Sequence, residues 1–164
     1  MKGMEIMSVK TKRLFLREFK TKDTKEFYEI SNDESVKEYI EYLYCDSIQE
    51  AYEFIEYIYE NDEKHGHYVI KNKKNQIIGM ITYETILNKE MEFNIIIGKN
   101  YRGNGYASEA ILGLIEFFKT QQLNLKYKVV CDKSNKMSRK MIQKLKPKSK
   151  LNIDAYGFEM FFIN

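Results

Sequence analysis

A segment between residues 94 and 110 carries the residue types best suited to holding a phosphate group. Three isoleucines, Ile95–Ile97, predict a β-strand that stops at Gly98. The loop Arg102-Gly-Asn-Gly105 follows, and a helical pattern begins near Tyr106. The first N–H groups of a helix lack internal partners and carry about half a positive charge, and glycines let a ligand approach the backbone. The segment therefore predicts an anion site, although a Gly-x-Gly pair alone also occurs in ordinary turns.

The two common nucleotide-binding motifs are absent from this segment. There is no Gly-Lys-Ser/Thr, and Gly103-x-Gly105-x-x-Ser108 lacks the third glycine of the dinucleotide fingerprint. The wider pattern is more specific. Glu92–Gly98 followed by Tyr101–Ala110 resembles the acetyl-CoA-binding motif of the GNAT N-acetyltransferases, and it is most similar to the branch that includes the ribosomal-protein N-terminal acetyltransferases.

Two further segments resemble the same branch, in the expected order along the chain. Thr11–Arg17 is similar to its first strand, and Asn135-Lys-Met-Ser138 followed by Lys144-Leu145 is similar to a later helix. The resemblance implies a single GNAT acetyltransferase domain over residues 1–164 with an α/β fold. Its central sheet is expected to be mixed, mostly antiparallel and flanked by helices, and to splay after Met91–Gly98 at the acetyl-CoA site.

The resemblance also implies the reaction: a primary amine attacks the thioester of acetyl-CoA directly, without a metal. Such a transfer needs a base, an oxyanion donor and an acid for the leaving thiolate. Glu92 is the expected base, at a position where the family often has a Glu that works through a water, and Glu84 and Glu90 are alternatives. The expected oxyanion donors are the backbone N–H groups of Ile95, Ile96 and Ile97.

The acid is harder to assign, because Ile142 stands where the family often has a tyrosine. Ser138 is the expected acid, with Tyr127 and Tyr106 as alternatives, and Asn135 is expected to bind the pantetheine amide. The residues expected to bind the pyrophosphate, through their backbone or the Ser108 hydroxyl, are Arg102, Gly103, Asn104, Gly105, Tyr106, Ala107 and Ser108. Two other departures from the family pattern are Asn100 before the loop and Lys146-Pro147 after the last long helix.

Charge is sorted along the chain, although the net charge is only +3. Residues 26–63 hold thirteen acidic side chains and one basic one, whereas residues 119–150 hold eleven basic side chains and one acidic one. These segments could be two solvated helix faces. Alternatively, the basic half attracts the phosphates of CoA and the acidic half attracts a cationic acceptor. Nucleic acid is not an expected partner, because Tyr127 is the one aromatic residue in the basic segment.

The expected function is acetyl-CoA-dependent N-acetylation of a cationic small molecule or of a peptide or protein N-terminus. The alternative is a catalytically inactive acetyl-CoA-binding sensor or interaction module. No apolar run approaches the ~18 residues of a membrane span, and Cys45 and Cys131 form no disulfide or metal pattern. His65 and His67 lack a third ligand at suitable spacing. We therefore expect a cytoplasmic monomer or homodimer with no membrane contact and no metal.

Hydrophobic periodicity predicts the elements that position these residues. Asp23 and Ser47 are predicted helix N-caps, the latter in a capping box with Glu50. Helices are predicted to Ser31, from Ser47, from Tyr106 and over Asn135–Leu145. The predicted strands are Lys12–Glu18, His67–Lys71, Gln76–Glu84, Met91–Gly98, Lys126–Cys131 and Tyr156–Ile163.

Overall fold

The structure is a computed structural model that describes residues 8–61, 65–86, 89–121, 124–153 and 157–163. The helices are α1 (Thr24–Ser31), α2 (Glu34–Tyr39), α3 (Ile48–Asn61), α4 (Tyr106–Thr120) and α5 (Lys136–Lys144). The strands are β1 (Val9–Lys10), β2 (Leu14–Glu18), β3 (His65–Asn72), β4 (Ile77–Ile86), β5 (Glu90–Ile97), β6 (Lys126–Asp132), β7 (Ser149–Ile153) and β8 (Phe158–Ile163).

All of these strands form one sheet in the order β1-β2-β3-β4-β5-β6-β8-β7. Neighbouring strands are antiparallel except β5 and β6, which are parallel and are connected through α4. A parallel pair needs such a crossover, because the chain must return to the same end of the sheet. The predicted α/β fold, with a mixed, mostly antiparallel sheet flanked by helices, is confirmed.

Alternate residues of the central strands pack into two hydrophobic cores. Phe93 of β5 packs on one face with α4 residues such as Phe118, whereas Ile96 packs on the other face with Phe27 of α1 and Ile55 of α3. Strands β3, β4 and β5 are therefore packed on both faces, and helices cover both faces of the sheet. This arrangement fixes which side chains of β5 and β6 point toward each helix layer.

Strands β5 and β6 part in the middle of the sheet. They are paired only from Glu90–Phe93 to Lys126–Val129, whereas β5 stays paired with β4 as far as Ile97. Among the described strands, none pairs with residues 94–97 on their β6 side. The splay that the sequence predicted begins inside β5, at Phe93, rather than after its end, and it opens a gap lined by backbone.

Several local predictions differ from the structure in detail. Asp23 occupies the N-cap position of α1, but its carboxylate accepts hydrogen bonds from Arg17 and from the Lys20 N–H instead of capping the helix. Helix α2 and strand β7 were not predicted. The last strand begins at Phe158, and Tyr156 lies outside the described residues. None of the described helices has the length and apolar character needed to cross a membrane.

The turn after α5 keeps a left-handed residue although the family's glycine is missing there. Lys146 has φ of 51°, the conformation that usually follows the end of a helix and favours glycine. Ile142, which replaces the expected tyrosine, is completely buried in the core. The departures at Ile142 and Lys146 therefore affect core packing and the local strain of the turn.

Candidate active site

A cleft of about 440 Å³ lies where β5 and β6 part. Strands β5 and β6 and the first turns of α5 form its walls, and the segment after α2 closes one side. Four of the predicted site residues are among its lining residues: Glu92, Ile95, Asn135 and Ser138. Tyr39 and Tyr42 also line it, and the sequence did not identify them. The gap in the sheet thus brings together side chains that are far apart in the chain.

Glu92 is held in the cleft wall by a buried lysine. The Nζ atom of Lys128 lies 3.4 Å from Oε2 of Glu92 and 3.4 Å from Oε2 of Glu90. The lysine side chain is 7% exposed and each carboxylate 22%, and a buried ammonium requires such partners. Neither alternative base lines the cleft: Glu90 is outside it, and Glu84 lies 3.4 Å from Nε2 of His65. Geometry thus favours Glu92 among the three.

The Tyr42 hydroxyl is a further ionisable group close to Glu92. The residue is exposed, with 57% of its surface accessible, and its hydroxyl lies close enough to Thr82 and Glu92 to interact with both. Burial of the hydroxyl raises the pKa of Tyr42; the hydrogen bond with Thr82 opposes this, and the charges of Glu92 and Glu84 raise the pKa further. The hydroxyl therefore stays protonated at neutral pH and can donate a hydrogen bond in the cleft.

The predicted oxyanion donors lie along the open edge of β5. The ladder between β4 and β5 continues in unbroken register to Ile97, so the strand splays here without a bulge. Ile95 lines the cleft, whereas the Ile96 side chain is buried in the opposite core. The carbonyl of Ile97 accepts a hydrogen bond from Arg102. Of the three isoleucines, Ile95 is thus the one whose backbone borders the cleft.

Asn135 and Ser138 occupy the start of α5. The Asn135 carboxamide oxygen accepts a hydrogen bond of 2.9 Å from the Ser138 N–H and so caps the helix. The Asn135 NH₂ group has no hydrogen-bond partner within the described ranges. Tyr127, an alternative acid, stacks on Phe93 with ring centroids 6.2 Å apart and does not line the cleft. Ser138 remains the predicted acid with access to the cleft.

The glycine loop presents a row of backbone donors. Gly103 and Gly105 have φ of 80° and 77°, and a Cβ on Gly103 would have no atom within 4 Å. The first α4 backbone hydrogen bond runs from Glu109 to Gly105. Within the described part of the chain, the N–H groups of residues 103–108 therefore have no acceptor. Such a row at a helix N-terminus fits an anion such as a pyrophosphate.

The side chains of two residues predicted to bind phosphate through their backbone, Arg102 and Asn104, are used to build the loop. Nε of Arg102 donates to the Ile97 carbonyl at 2.7 Å, and Nη2 lies 3.1 Å from Oδ1 of Asp33. Burial alone would raise the pKa of Asp33, but its hydrogen bonds with Ser35 and Arg102 lower it overall. The Asn104 amide donates to the carbonyls of Tyr101 and Arg102. These two side chains shape the loop and leave the donors to the backbone.

The first turn of α4 contains a buried hydroxyl that has no hydrogen-bond partner in the described structure. Ser108 is 8% exposed, and its buried Oγ has no hydrogen-bond partner in the described structure. A buried hydroxyl without a partner costs about 1–3 kcal/mol, so a ligand that supplies one is favoured.

Arg13, which the sequence did not single out, lies over the ring of Tyr106 with Cζ 4.7 Å from the centroid. The sequence analysis identified Thr11–Arg17, the segment that contains Arg13, only by its similarity to a strand.

The cleft contains no evident nucleophile or metal site. Cys131 lines it, but burial, together with nearby Glu159, raises the pKa of the thiol to about 11, which leaves it protonated. Among the described residues no group of three His, Cys, Asp or Glu side chains is suited to hold a metal ion. The arrangement suits direct attack by an amine better than a covalent enzyme intermediate.

Comparison with a family model and comparison with individual proteins identify the same family. The model for the acetyltransferase (GNAT) domain matches residues 13–147. YnaD of Bacillus subtilis (strain 168), an uncharacterized N-acetyltransferase, is 30% identical over 142 residues, which cover 85% of this chain and 81% of YnaD.

Two solved structures share the fold at lower identity. The RimL ribosomal L7/L12 alpha-N-protein acetyltransferase in complex with coenzyme A has a TM-score of 0.78 at 14% identity, over 94% of this chain and 96% of that one. Spermidine N-acetyltransferase from Vibrio cholerae, in complex with CoA and spermine, has a TM-score of 0.72 at 17% identity, over 93% and 94%. The family model covers most of the chain and includes the glycine loop and every residue of the cleft lining except Phe158. This protein therefore belongs to the GNAT family of N-acetyltransferases, whose members bind acetyl-CoA or CoA.

Proposed function

We propose that this protein transfers the acetyl group of acetyl-CoA to a primary amine on a cationic small molecule or at a peptide or protein N-terminus. The observation that carries the proposal is the cleft between β5 and β6, which has a carboxylate in its wall and lies at the end of the strand that leads into the glycine loop. A thioester bound along that strand would have its carbonyl near the open backbone edge. The amine would approach from the side of Tyr39 and Tyr42.

In this proposal Glu92 removes a proton from the amine, directly or through a water. A lysine-type amine has a pKa near ~10.4 and is mostly protonated at neutral pH, so it must lose a proton before it can attack. General-base assistance of this kind is typically worth ~10²–10⁴ in rate. Lys128 fixes the Glu92 carboxylate from behind through its 3.4 Å contact, and the Tyr42 hydroxyl lies close enough to influence the same group.

Backbone and side-chain donors complete the proposed reaction. The N–H groups of Ile95–Ile97 that face the gap stabilise the oxyanion, with Ile95 nearest to the cleft. Ser138 protonates the leaving thiolate, and the Asn135 NH₂ group binds an amide of the pantetheine arm. The pyrophosphate is held by the N–H groups of residues 103–108 and by the Ser108 hydroxyl, with Arg102 and Asn104 supporting the loop from behind.

Charge around the cleft supports a cationic acceptor. The acidic residues Glu41, Glu92 and Asp132 line it, and within the described part of the chain no Lys or Arg does. The rings of Tyr39 and Tyr42 add faces that attract an ammonium group. The names of two structural neighbours, a ribosomal-protein N-acetyltransferase and a spermidine N-acetyltransferase, also denote amine acceptors. We propose the reducing cytoplasm as its compartment, since both described cysteines are free.

The test is release of CoA thiol from acetyl-CoA by the purified protein over a panel of polyamines, aminoglycosides, amino acids and N-terminal peptides of ribosomal proteins. Acetyl-CoA binding is measured in parallel by calorimetry. Turnover with one amine class, and an acetylated product in mass spectrometry, would establish the reaction and its acceptor. Tight binding of acetyl-CoA without turnover on any amine would instead favour a catalytically inactive sensor. A protein that fails to bind acetyl-CoA would overturn the proposal.

A further inference from the structure

The side chain of Arg13 lies beside the glycine loop although it is 91 residues away from it in the chain. Its Nη1 atom donates to the carbonyl oxygen of Asn104 at 3.0 Å. Its Nε atom donates to Oε2 of Glu109 at 2.6 Å, and its guanidinium lies over the Tyr106 ring. These three contacts come from the loop and from the first turn of α4. They fix the guanidinium plane at the rim of the row of open N–H groups.

Glu109 explains why an arginine is needed at this position. A carboxylate in the first turn of a helix ordinarily satisfies the open N–H groups itself. Here its oxygens accept from the Thr11 hydroxyl at 2.6 Å and from the Arg13 backbone at 2.7 Å, as well as from Nε. Burial alone would raise the pKa of Glu109, but these hydrogen bonds outweigh it and lower the pKa. The carboxylate is thus ionised and held away from the donors.

One donor of the guanidinium remains available. Nη2 of Arg13 has no hydrogen-bond partner within the described residues, and it lies 3.6 Å from where a Cβ on Gly105 would stand. Because the other nitrogens are engaged and the plane stacks on Tyr106, this group is oriented before any ligand arrives. A fixed guanidinium N–H next to a row of backbone N–H groups matches the geometry of phosphate oxygens.

We propose that Arg13 is a cofactor-binding residue that donates a charged hydrogen bond from Nη2 to the pyrophosphate of CoA. The residue lies in the turn before β2, outside the strand–loop–helix segment that forms the rest of the phosphate site. This inference rests on the proposed role of the glycine loop in binding CoA. It adds a charged side-chain contact to a site that the sequence predicted from backbone groups and the Ser108 hydroxyl.

The experiment compares the binding of CoA and of pantetheine, which lacks the pyrophosphate, by calorimetry. Arg13→Met is expected to weaken CoA binding about 10- to 100-fold, the effect of losing a hydrogen bond to a charged group, and to leave pantetheine binding unchanged. Arg139→Met is the matched control. Its Nε lies 3.0 Å from Oε2 of Glu159 and its side chain is 43% exposed, against 40% for Arg13. Its CoA affinity should equal that of the wild type.

A double variant separates a direct contact from an indirect one. If Arg13 only neutralised Glu109, then Glu109→Gln in the Arg13→Met background would restore CoA binding, and the inference would be overturned. Equal losses for CoA and pantetheine, or no loss at all, would overturn it too. Thermal unfolding without ligand verifies that each variant is folded. Failure of the wild type itself to bind CoA would refute the proposed function as well, whereas normal binding by Arg13→Met refutes only this inference.

Discussion

Two glutamates on β5 offer a controlled test of the proposed base. Glu92 and Glu90 lie on the same face of the strand, each has Oε2 3.4 Å from Nζ of Lys128, and each side chain is 22% exposed. Only Glu92 lines the cleft. Replacing either residue by glutamine removes one ion pair with Lys128 and keeps the size of the side chain. The two variants therefore differ mainly in whether the lost carboxylate faces the substrate.

The expected magnitudes follow from this environment. The ion pairs lie between the surface case, worth roughly 0–1 kcal/mol, and the fully buried case, where breaking a pair costs about 3–5 kcal/mol. We expect each variant to lose about 1–2 kcal/mol of unfolding free energy, or roughly 2–8 °C in melting temperature. In kcat, Glu92→Gln should lose ~10²–10⁴-fold, equivalent to about 2.7–5.4 kcal/mol of barrier. Glu90→Gln should keep kcat within about threefold, since no proton transfer is lost.

The assay measures kcat and KM for acetyl-CoA and for the best acceptor from the panel, together with thermal unfolding of all three proteins. Equal stability losses with a large difference in kcat would identify Glu92 as the base. Equal losses of kcat would show that the carboxylates act through Lys128 and that neither is the base. A Glu92→Gln variant with wild-type kcat would refute the assignment outright.

Three further predictions concern the loop, pH and the α5 turn. Gly103→Ala and Gly157→Ala introduce a Cβ at φ of 80° and 73° with no atom within 4 Å. Each should therefore cost about 1 kcal/mol in thermal unfolding. Only the Gly103 variant should bind acetyl-CoA at least ~10-fold more weakly in calorimetry, since the proposed pyrophosphate site includes that space; equal affinities would contradict the loop assignment. The lowered pKa of Glu109 gives stability that is present above its unfolded pKa and lost as pH falls through the folded one. In urea unfolding the loss of unfolding free energy caused by Glu109→Gln should thus be full at about pH 7 and shrink as the pH falls below the ordinary glutamate pKa of 4.5. A loss that stays constant with pH would indicate a packing effect. Lys146→Gly should raise the melting temperature by about 1–4 °C by relieving the positive φ, and an unchanged or lower value would show that the turn is unstrained.

Features that depend on neighbouring residues were predictable from the sequence. The strand, glycine loop and helix from β5 to α4 follow from β-branched residues, two glycines and a regular apolar spacing within a single stretch of chain. The capping-box prediction also identified the right residues, since the Glu50 N–H donates to the Ser47 hydroxyl and the Glu50 carboxylate accepts from Asp46. Such patterns involve residues that are close in the sequence, so they specify the local structure without knowledge of the rest of the fold.

Contacts between distant segments were not predictable in the same way. The pairing of Arg102 with Asp33 spans 69 residues, and that of Arg13 with Asn104 spans 91, so both depend on how the sheet is ordered. The placement of Lys128 beside Glu92 depends on the register of a parallel pair, which a single sequence does not specify. Strand β7 was missed because it is an edge strand containing lysine, where charged residues replace the alternating pattern of a core strand.

Ligand binding is expected to contribute to the stability of the fold, because the open edge of β5 and the row of N–H groups at residues 103–108 need hydrogen-bond partners. Within the described chain the N–H groups of residues 103–108 lack protein partners. The gap-facing groups of residues 94–97 are also open, apart from the Ile97 carbonyl, which accepts from Arg102. In the ligand-free state water satisfies the open groups. Any molecule that binds only the native state raises its stability by mass action, by about 2.7 kcal/mol at a free concentration of 100 Kd. The cellular lifetime of this protein should therefore follow the supply of acetyl-CoA. A cell depleted of acetyl-CoA would lose the enzyme as well as its cosubstrate.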